Sequence, residues 1–267
     1  MDFCKGKPHI GEEPEQLMAI EKDWGKWYDD DNNCEFEIHD SPWLERCIDD
    51  ATGGKTNLKW FVPLCEKSPA MKWLYDRGDE VIGVELVGKA IEKFFSSRGM
   101  NYTKSDIPQL KYGCLYQNDD KRIKIFKCNI FDVTRDLIGG PVDAIWERGS
   151  MQDIDHHERL RYGDILLSVL KPDGKILAET FEVIDHGTSH TTSHGEAEDD
   201  HHHHDHHGGP SEEHTPHSVN AADFDRLYGG RCNIKVLAEE YWGADYKVVD
   251  KSQPYSCINT VRVISFK

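Results

Sequence analysis

The hydrophobic positions of this chain change period along its length. Residues 58–64, LKWFVPL, form a continuous apolar run. Such a run is expected of a parallel strand covered on both faces. It leads into a sharp turn, Leu64-Cys65-Glu66-Lys67, and then a helix through Lys67–Arg77. Ser68 suits its N-cap, Pro69 its first position and Gly78 its stop. EVIGVEL reads as a second strand, followed by a second helix to about Arg98. Residues 112–128 read as a hairpin or two edge strands, YGCLYQ and RIKIFKC, joined by Asn118-Asp119-Asp120. VDAIWE and GKILAETFEV give two more strands, separated by a helix over roughly 156–170. NAADFDRLYGG reads as a short asparagine-capped helix, and CNIKVLAEEY and NTVRVISFK as a terminal antiparallel pair. A short helix from Pro42 to Ile48, capped by Ser41, precedes the first strand. Residues 1–20 are polar and aperiodic and read as a flexible N-terminal arm, leaving 21–267 as a single domain. Strand–helix alternation of this kind predicts an α/β fold with a doubly wound, mostly parallel sheet.

The chain has 267 residues, of which 37% are apolar and 30% charged. Globular domains average roughly 45–50% and ~25%. Residues 185–217 carry part of the deficit, being almost wholly polar, and the remainder is long enough to bury a full core. There are 49 acids against 32 bases, a formal charge of −17. That field repels phosphate backbones and anionic lipid, so neither a nucleic acid nor a membrane is expected as a partner. No apolar run nears the ~20 residues that span a bilayer. The first residues lack the apolar core of a signal peptide. The eight cysteines include no C-x-x-C pair, and several fall in strand-like runs. Buried, reduced thiols in a cytoplasmic protein are the expectation.

Residues 58–85 hold the most chemistry. In doubly wound sheets ligands bind at the carboxyl ends of the strands. Glu85 ends the second strand about 20 residues past the first turn, where an acid accepts hydrogen bonds from ribose hydroxyls. The alternative is a strand-end acid that merely faces water. The start of the 68–77 helix suits a ligand carboxylate or phosphate. No G-x-G-x-x-G lies near Leu64, and G-x-S-x-G, H-E-x-x-H and the EF-hand loop are absent. That argues against a standard dinucleotide site or a P-loop.

The stretch FVPLCEKSPAMKWLYDRGDEVIGVELVGKAIEKFF resembles the cofactor-binding core of thiopurine S-methyltransferases. Their pattern is close to F-x-P-L-C-G-K-x-x-x-M-x-W-x-x-x-x-G-x-x-V-x-G-V-E-x-x-x-x-A-I-x-x-F-F. CNIFDV, VDAIWERGSM and DFDRLYGGRCNIKVL are similar to later blocks of the family. With the N-terminal tryptophans the resemblance covers residues 20–267, the histidine-rich stretch excepted. It implies a class I, Rossmann-like methyltransferase fold: a seven-stranded sheet with one antiparallel strand and an N-terminal helical cover. It also implies methyl transfer from S-adenosyl-L-methionine to the sulfur, or selenium, of a small molecule. By position, Trp24 or Trp27 and the segment that follows would cover the cofactor, Leu64 would line it and Glu85 would hold the ribose. Asn129 and Ile130 would contact adenine. Arg148 would serve cofactor and substrate beside the methyl-transfer centre, and Ile38 takes the place of an aromatic near the substrate.

Ordinary structural roles stand beside these. Trp24 and Trp27 could staple a helix to the core, Asn129 could cap a strand end, and Arg148 could pair with Glu147 or Asp153 at the surface. The sequence also departs from the family. Glu66 replaces the turn glycine, and if that position needs a positive φ a non-glycine residue costs on the order of 1 kcal/mol. Its carboxylate would repel that of the cofactor's methionine, with Lys67 as an offset. Glu147 replaces an aspartate, and GGPSEEHTPH stands where the family has a proline-rich aromatic lid.

Residues 186–217 hold eleven of the fifteen histidines, with interleaved acids and no lysine or arginine. This composition predicts a disordered insertion at about 186–214. Imidazoles beside carboxylates suit adventitious zinc, copper or nickel, although no dedicated metal site is expected. Two functions are therefore carried forward. One is a monomeric, cytoplasmic S-methyltransferase acting on a small thiol. The other is a metal-binding protein on a catalytically decayed methyltransferase scaffold.

Overall fold

The apolar run of residues 58–64 becomes β1 (Lys59–Val62), the centre of a nine-stranded sheet. The structure is a computed structural model that describes residues 13–29, 41–185, 218–242 and 255–267. The side chains of Trp27, Asp185, Trp242 and Tyr255 are outside that description, as are residues 30–40, with Ile38, and the histidine-rich stretch. The other strands are β2 (Glu80–Glu85), β3 (Tyr102–Asp106), β4 (Cys114–Asn118), β5 (Ile123–Lys127), β6 (Val142–Arg148), β7 (Leu170–Asp185), β8 (Cys232–Trp242) and β9 (Tyr255–Phe266). Their order is β3-β4-β5-β2-β1-β6-β7-β9-β8. From β5 to β8 this is a seven-stranded sheet. β5, β2, β1, β6 and β7 are parallel, and β9 runs antiparallel to both neighbours. β3 and β4 extend it with two antiparallel strands. The sequence pattern misses β3, because all five of its residues are exposed and none alternates into the core.

Helices cover both faces, which is why β1 has no polar side. Trp60 and Val62 pack with Met71, Leu74, Phe94, Trp146 and Leu177. This layer belongs to α2 (Pro42–Thr52), α3 (Pro69–Asp76) and α4 (Gly88–Ser97). Phe61 points the other way, into Ile82, Ile145, Tyr162, Leu166 and Phe224 under α5 (Arg159–Val169) and α6 (Ala221–Tyr228). Full burial of each such side chain contributes roughly 1.5–3 kcal/mol. Gly83 keeps β2 close to the first layer: a Cβ there would lie 2.6 Å from Cys65 Sγ and 3.0 Å from Met71 Cε.

The chain-start reading needs correction. α1 spans Pro14–Trp27, so the arm does not extend to residue 20. Pro14 occupies the first turn, Glu13 and Gln16 form a capping box, and Leu17 and Ile20 are buried. Two apolar positions three apart are one helical face, too short to stand out in a polar stretch. Ser41 caps α2 by accepting from Trp43 N at 3.2 Å. Asn220 caps α6 through the amides of Ala222 and Asp223. Six cysteines among the described residues, at 47, 65, 114, 128, 232 and 257, are free and buried. No helix among the described residues is long and apolar enough to cross a membrane.

Candidate functional site

The sheet reverses its winding between β1 and β6, so the carboxyl ends of these strands open a crevice. Ser150 Oγ donates to Pro63 O at 3.1 Å, tying the two ends together. The turn after β1 folds back beneath β2 because Leu64 and Glu66 both take positive φ, 44° and 45°. This is the conformation that the family's glycine would adopt freely. Cys65 N donates to Val84 O at 2.9 Å, and Glu66 N donates to Glu85 Oε2 at 3.1 Å. The other oxygen of Glu85 accepts from Val87 N at 2.7 Å. Glu85 is therefore not an acid facing water. It is 7% exposed and clamps the strained turn to the start of α4. A lost hydrogen bond to a charged acceptor costs roughly 1.5–3 kcal/mol, enough to hold the two left-handed residues in place.

Next to Glu85, Cys128 N donates to Glu85 O at 3.2 Å, which brings Asn129 and Ile130 to the same edge. Asn129 Oδ1 accepts from Phe131 N at 3.0 Å and caps the short 3-10 turn Ile130–Asp132. The capping alternative for Asn129 is thus present, whatever else its side chain does. Ile130 is buried in the α5-side core.

α1 lies over this end of the crevice, held by a group that sequence reading missed. Glu21 accepts from Gly88 N at 2.9 Å, pairs with Lys127 Nζ at 2.7 Å and accepts from the Tyr112 hydroxyl. Lys127 Nζ also sits 4.1 Å from the centre of the Tyr112 ring. Burial opposes ionisation of Glu21, but the Lys127, Tyr112 and Gly88 hydrogen bonds outweigh it and hold its carboxyl below the usual range. Trp24, one turn on, packs with Tyr28, Val87 and Ala90. Lys67 Nζ is 5.7 Å from the ring centre of Tyr28, the C-cap of α1. The only sequence signal for Glu21 was its place on the Leu17–Ile20–Trp24 face.

The β6 end carries two charges on opposite faces. Glu147 turns to the α5 side and is fully buried. It accepts from Met151 N at 2.7 Å and from the Tyr162 hydroxyl at 3.3 Å. Burial pushes its carboxyl up to about 7, against the lowering effect of those hydrogen bonds. Arg148 turns to the α2 side. Its Nε lies 3.2 Å from Glu179 Oε2 on β7, and the Glu179 side chain is 2% exposed. Glu179 interrupts the apolar run of β7, which was the available signal for it.

Arg148 borders a cavity of about 260 Å³ between the first turns of α2 and α3. Pro42, Leu44, Pro69, Trp73 and Trp146 give apolar walls, and Glu45 adds a carboxylate. The volume is just below the ~300–1,000 Å³ of drug-sized sites, which suits one small ring system. Elsewhere, Asp155, His157 and Glu158 could hold a metal among the described residues, their ligand atoms within 4.8 Å of one another.

Comparison with known proteins bears on both halves of the crevice. The model of the thiopurine S-methyltransferase family matches residues 19–191. Thiopurine S-methyltransferase from Rattus norvegicus is 30% identical over 211 residues, covering 76% of this chain and 78% of that one. The Bos taurus enzyme is 26% identical over 246 residues, covering 89% and 90%. Among solved structures, 1,6-didemethyltoxoflavin-N1-methyltransferase from Burkholderia thailandensis, with bound S-adenosylhomocysteine, aligns with TM-score 0.53 and 10% identity over 97% of this chain and 93% of its own. The N-methyltransferase NodS from Bradyrhizobium japonicum, also with S-adenosylhomocysteine, aligns with TM-score 0.52 and 8% identity over 91% and 96%. At such identities these two show the class I methyltransferase fold alone. The buried strand-end carboxylate of Glu85 and the turn folded beneath it fit a ribose-bearing cofactor, and that cofactor is S-adenosylmethionine. By the match over residues 19–191, the chain belongs to the thiopurine S-methyltransferase family.

Proposed function

We propose that this S-adenosylmethionine-dependent methyltransferase acts on the sulfur of a small-molecule thiol, as its family name describes. The observation that carries the reading is the small, largely apolar cavity with Arg148 in its wall, at the β6 edge of the crevice. When bound, the cofactor supplies a sulfonium methyl group. In this reading Glu85 accepts from the ribose hydroxyls, Leu64 lines the cofactor and the Asn129–Ile130 segment meets the adenine. Trp24 and Trp27 of α1, with the segment that follows, exclude water, and Ile38 belongs to the acceptor side. Arg148 orients the acceptor and favours its ionised form, since a nearby cation lowers a thiol's pKa. No residue need form a covalent bond. Holding the two reactants in line supplies up to roughly 7–11 kcal/mol. The buried, unpaired cysteines support a reducing, cytoplasmic setting and a bystander role for Cys65, whose thiol burial pushes well up. A monomer completes the reading.

The test is a methyl-transfer screen across aryl thiols, alkyl thiols, selenide and thiopurines with radiolabelled cofactor. Turnover of at least one thiol or selenol class is expected. Turnover confined to oxygen or nitrogen acceptors would overturn the sulfur assignment. Failure to bind the cofactor, alongside stoichiometric metal binding, would favour the decayed-scaffold alternative.

A further inference from the structure

Among the described residues, acid outnumbers base around the acceptor cavity. Arg148 and Glu45 both line it. Behind Arg148, Glu179 presents one oxygen to the guanidinium at 3.2 Å. Its other oxygen accepts from Asn259 Nδ2 at 2.9 Å. The register imposes this pairing: Arg148 and Glu179 are Cα partners across β6 and β7. Each follows by two residues a side chain of the α2-side core, Trp146 and Leu177, so both point to that face. A guanidinium facing a buried, hydrogen-bonded carboxylate has its charge largely compensated, and removing one partner leaves the other charge buried. Among the described residues that line the cavity or back Arg148, two acids then stand against one base. Trp146 adds a neutral donor: it lines the cavity, is 1% exposed, and its Nε1 has no hydrogen-bond partner among the described residues.

We infer that Glu179 sets the charge preference of the methyl acceptor. The cavity selects uncharged or cationic thiols and rejects those that carry a carboxylate or phosphate. Glu179 takes up part of the Arg148 charge, so the guanidinium keeps enough field for the sulfur but not for a second anionic group, and selectivity arises from repulsion of the wrong ligand. An uncharged ring with a hydrogen-bond acceptor suits the indole N–H. The inference rests on the thiol reading above.

The test is calorimetry on S-adenosylhomocysteine-loaded protein with two probes, benzenethiol and para-mercaptobenzoate. The wild type is expected to bind benzenethiol more tightly. Glu179→Gln keeps the shape and an oxygen for Asn259 but removes the charge. It should shift the affinity ratio toward the carboxylate probe by about tenfold. Glu179→Asp keeps the charge and should keep the wild-type preference, which a purely structural role does not require. Where turnover is measurable, the shift should fall in KM rather than kcat. A ratio unchanged in Glu179→Gln overturns the inference. If that variant does not fold, Glu45→Gln, at an exposed position, must move the ratio the same way, by about twofold; no movement there overturns it. Binding is read without turnover. A wild type that binds these thiols but never methylates them therefore counts against the thiol reading, not against Glu179.

Discussion

The two ends of the crevice are built by different means. At the cofactor end, one carboxylate, Glu85, gathers backbone amides from Val87 just past its own strand end and from Glu66 in the turn after β1. At the acceptor end, the pairs are between side chains and cross the sheet, Arg148 with Glu179 and Glu179 with Asn259. The first arrangement fixes a local backbone shape. The second leaves that shape alone, so substitutions there retune which acceptor fits. The Glu66 position shows how tolerant the first is. A residue with a side chain holds φ at 45° where glycine would be unstrained, because the Glu85 clamp outweighs a strain of order 1 kcal/mol.

If the contrast is real, breaking each end should fail differently. The largest effect is expected from Glu85→Ala, which removes the proposed ribose contact and leaves two amides without their acceptor. Cofactor affinity by calorimetry should fall tenfold or more, ~1.5–3 kcal/mol, with a lower Tm. Unchanged affinity in a folded variant would sink the assignment.

Arg148→Ala should instead lower kcat/KM by ~10–100-fold, or ~1.4–2.7 kcal/mol, with a smaller loss of cofactor affinity. Steady-state kinetics beside cofactor titration separates the two. A collapse of cofactor binding with saturated turnover intact would move Arg148 to the cofactor end.

Glu147, beside Arg148 but on the other face, sharpens the comparison through pH. Burial raises its carboxyl to about 7 in the folded chain, against 4.5 as the ordinary value. The folded state therefore keeps a proton that the unfolded chain gives up first. The stability so gained is present at pH 4 and is lost as pH rises toward 7 and above. Glu147→Gln has no such loss. Its Tm relative to wild type should improve between pH 5 and pH 8, by on the order of 2 kcal/mol in stability. A pH-independent difference would contradict a proton held there.

Glu21→Ala should loosen α1 without touching the acceptor end. Hydrogen exchange of residues 14–27 should quicken and cofactor affinity fall several-fold, for a loss of about 1 kcal/mol. The smallest effect is expected from deleting residues 186–207. Their composition cannot bury apolar area, so Tm and cofactor affinity should barely move. A large loss of either would assign the tract a structural part.

How much of this was legible follows from distance along the chain. The β1–turn–α3–β2 unit was readable because its signals are local: a continuous apolar run, a Ser-Pro helix start, a glycine stop and an acid at a strand end. The same locality made Glu85 a candidate. α1 was half-read, since two buried residues on one face, Leu17 and Ile20, leave little periodicity in a polar stretch. β3 left none, its five residues being exposed.

The sequence by itself determined the doubly wound order, the family resemblance and the cofactor edge, because burial on two faces and turn chemistry act over a few residues at a time. Only the tertiary structure decided which groups meet across strands. Arg148 could have faced Glu147, but strand pleat puts Glu147 on the opposite face, and pairing with β7 brings Glu179 to the guanidinium. Glu21 reaches Lys127 and Tyr112 only after α1 crosses the β5 edge. Such pairings depend on register and on which face a side chain leaves, and neither is settled until the sheet has closed around its core.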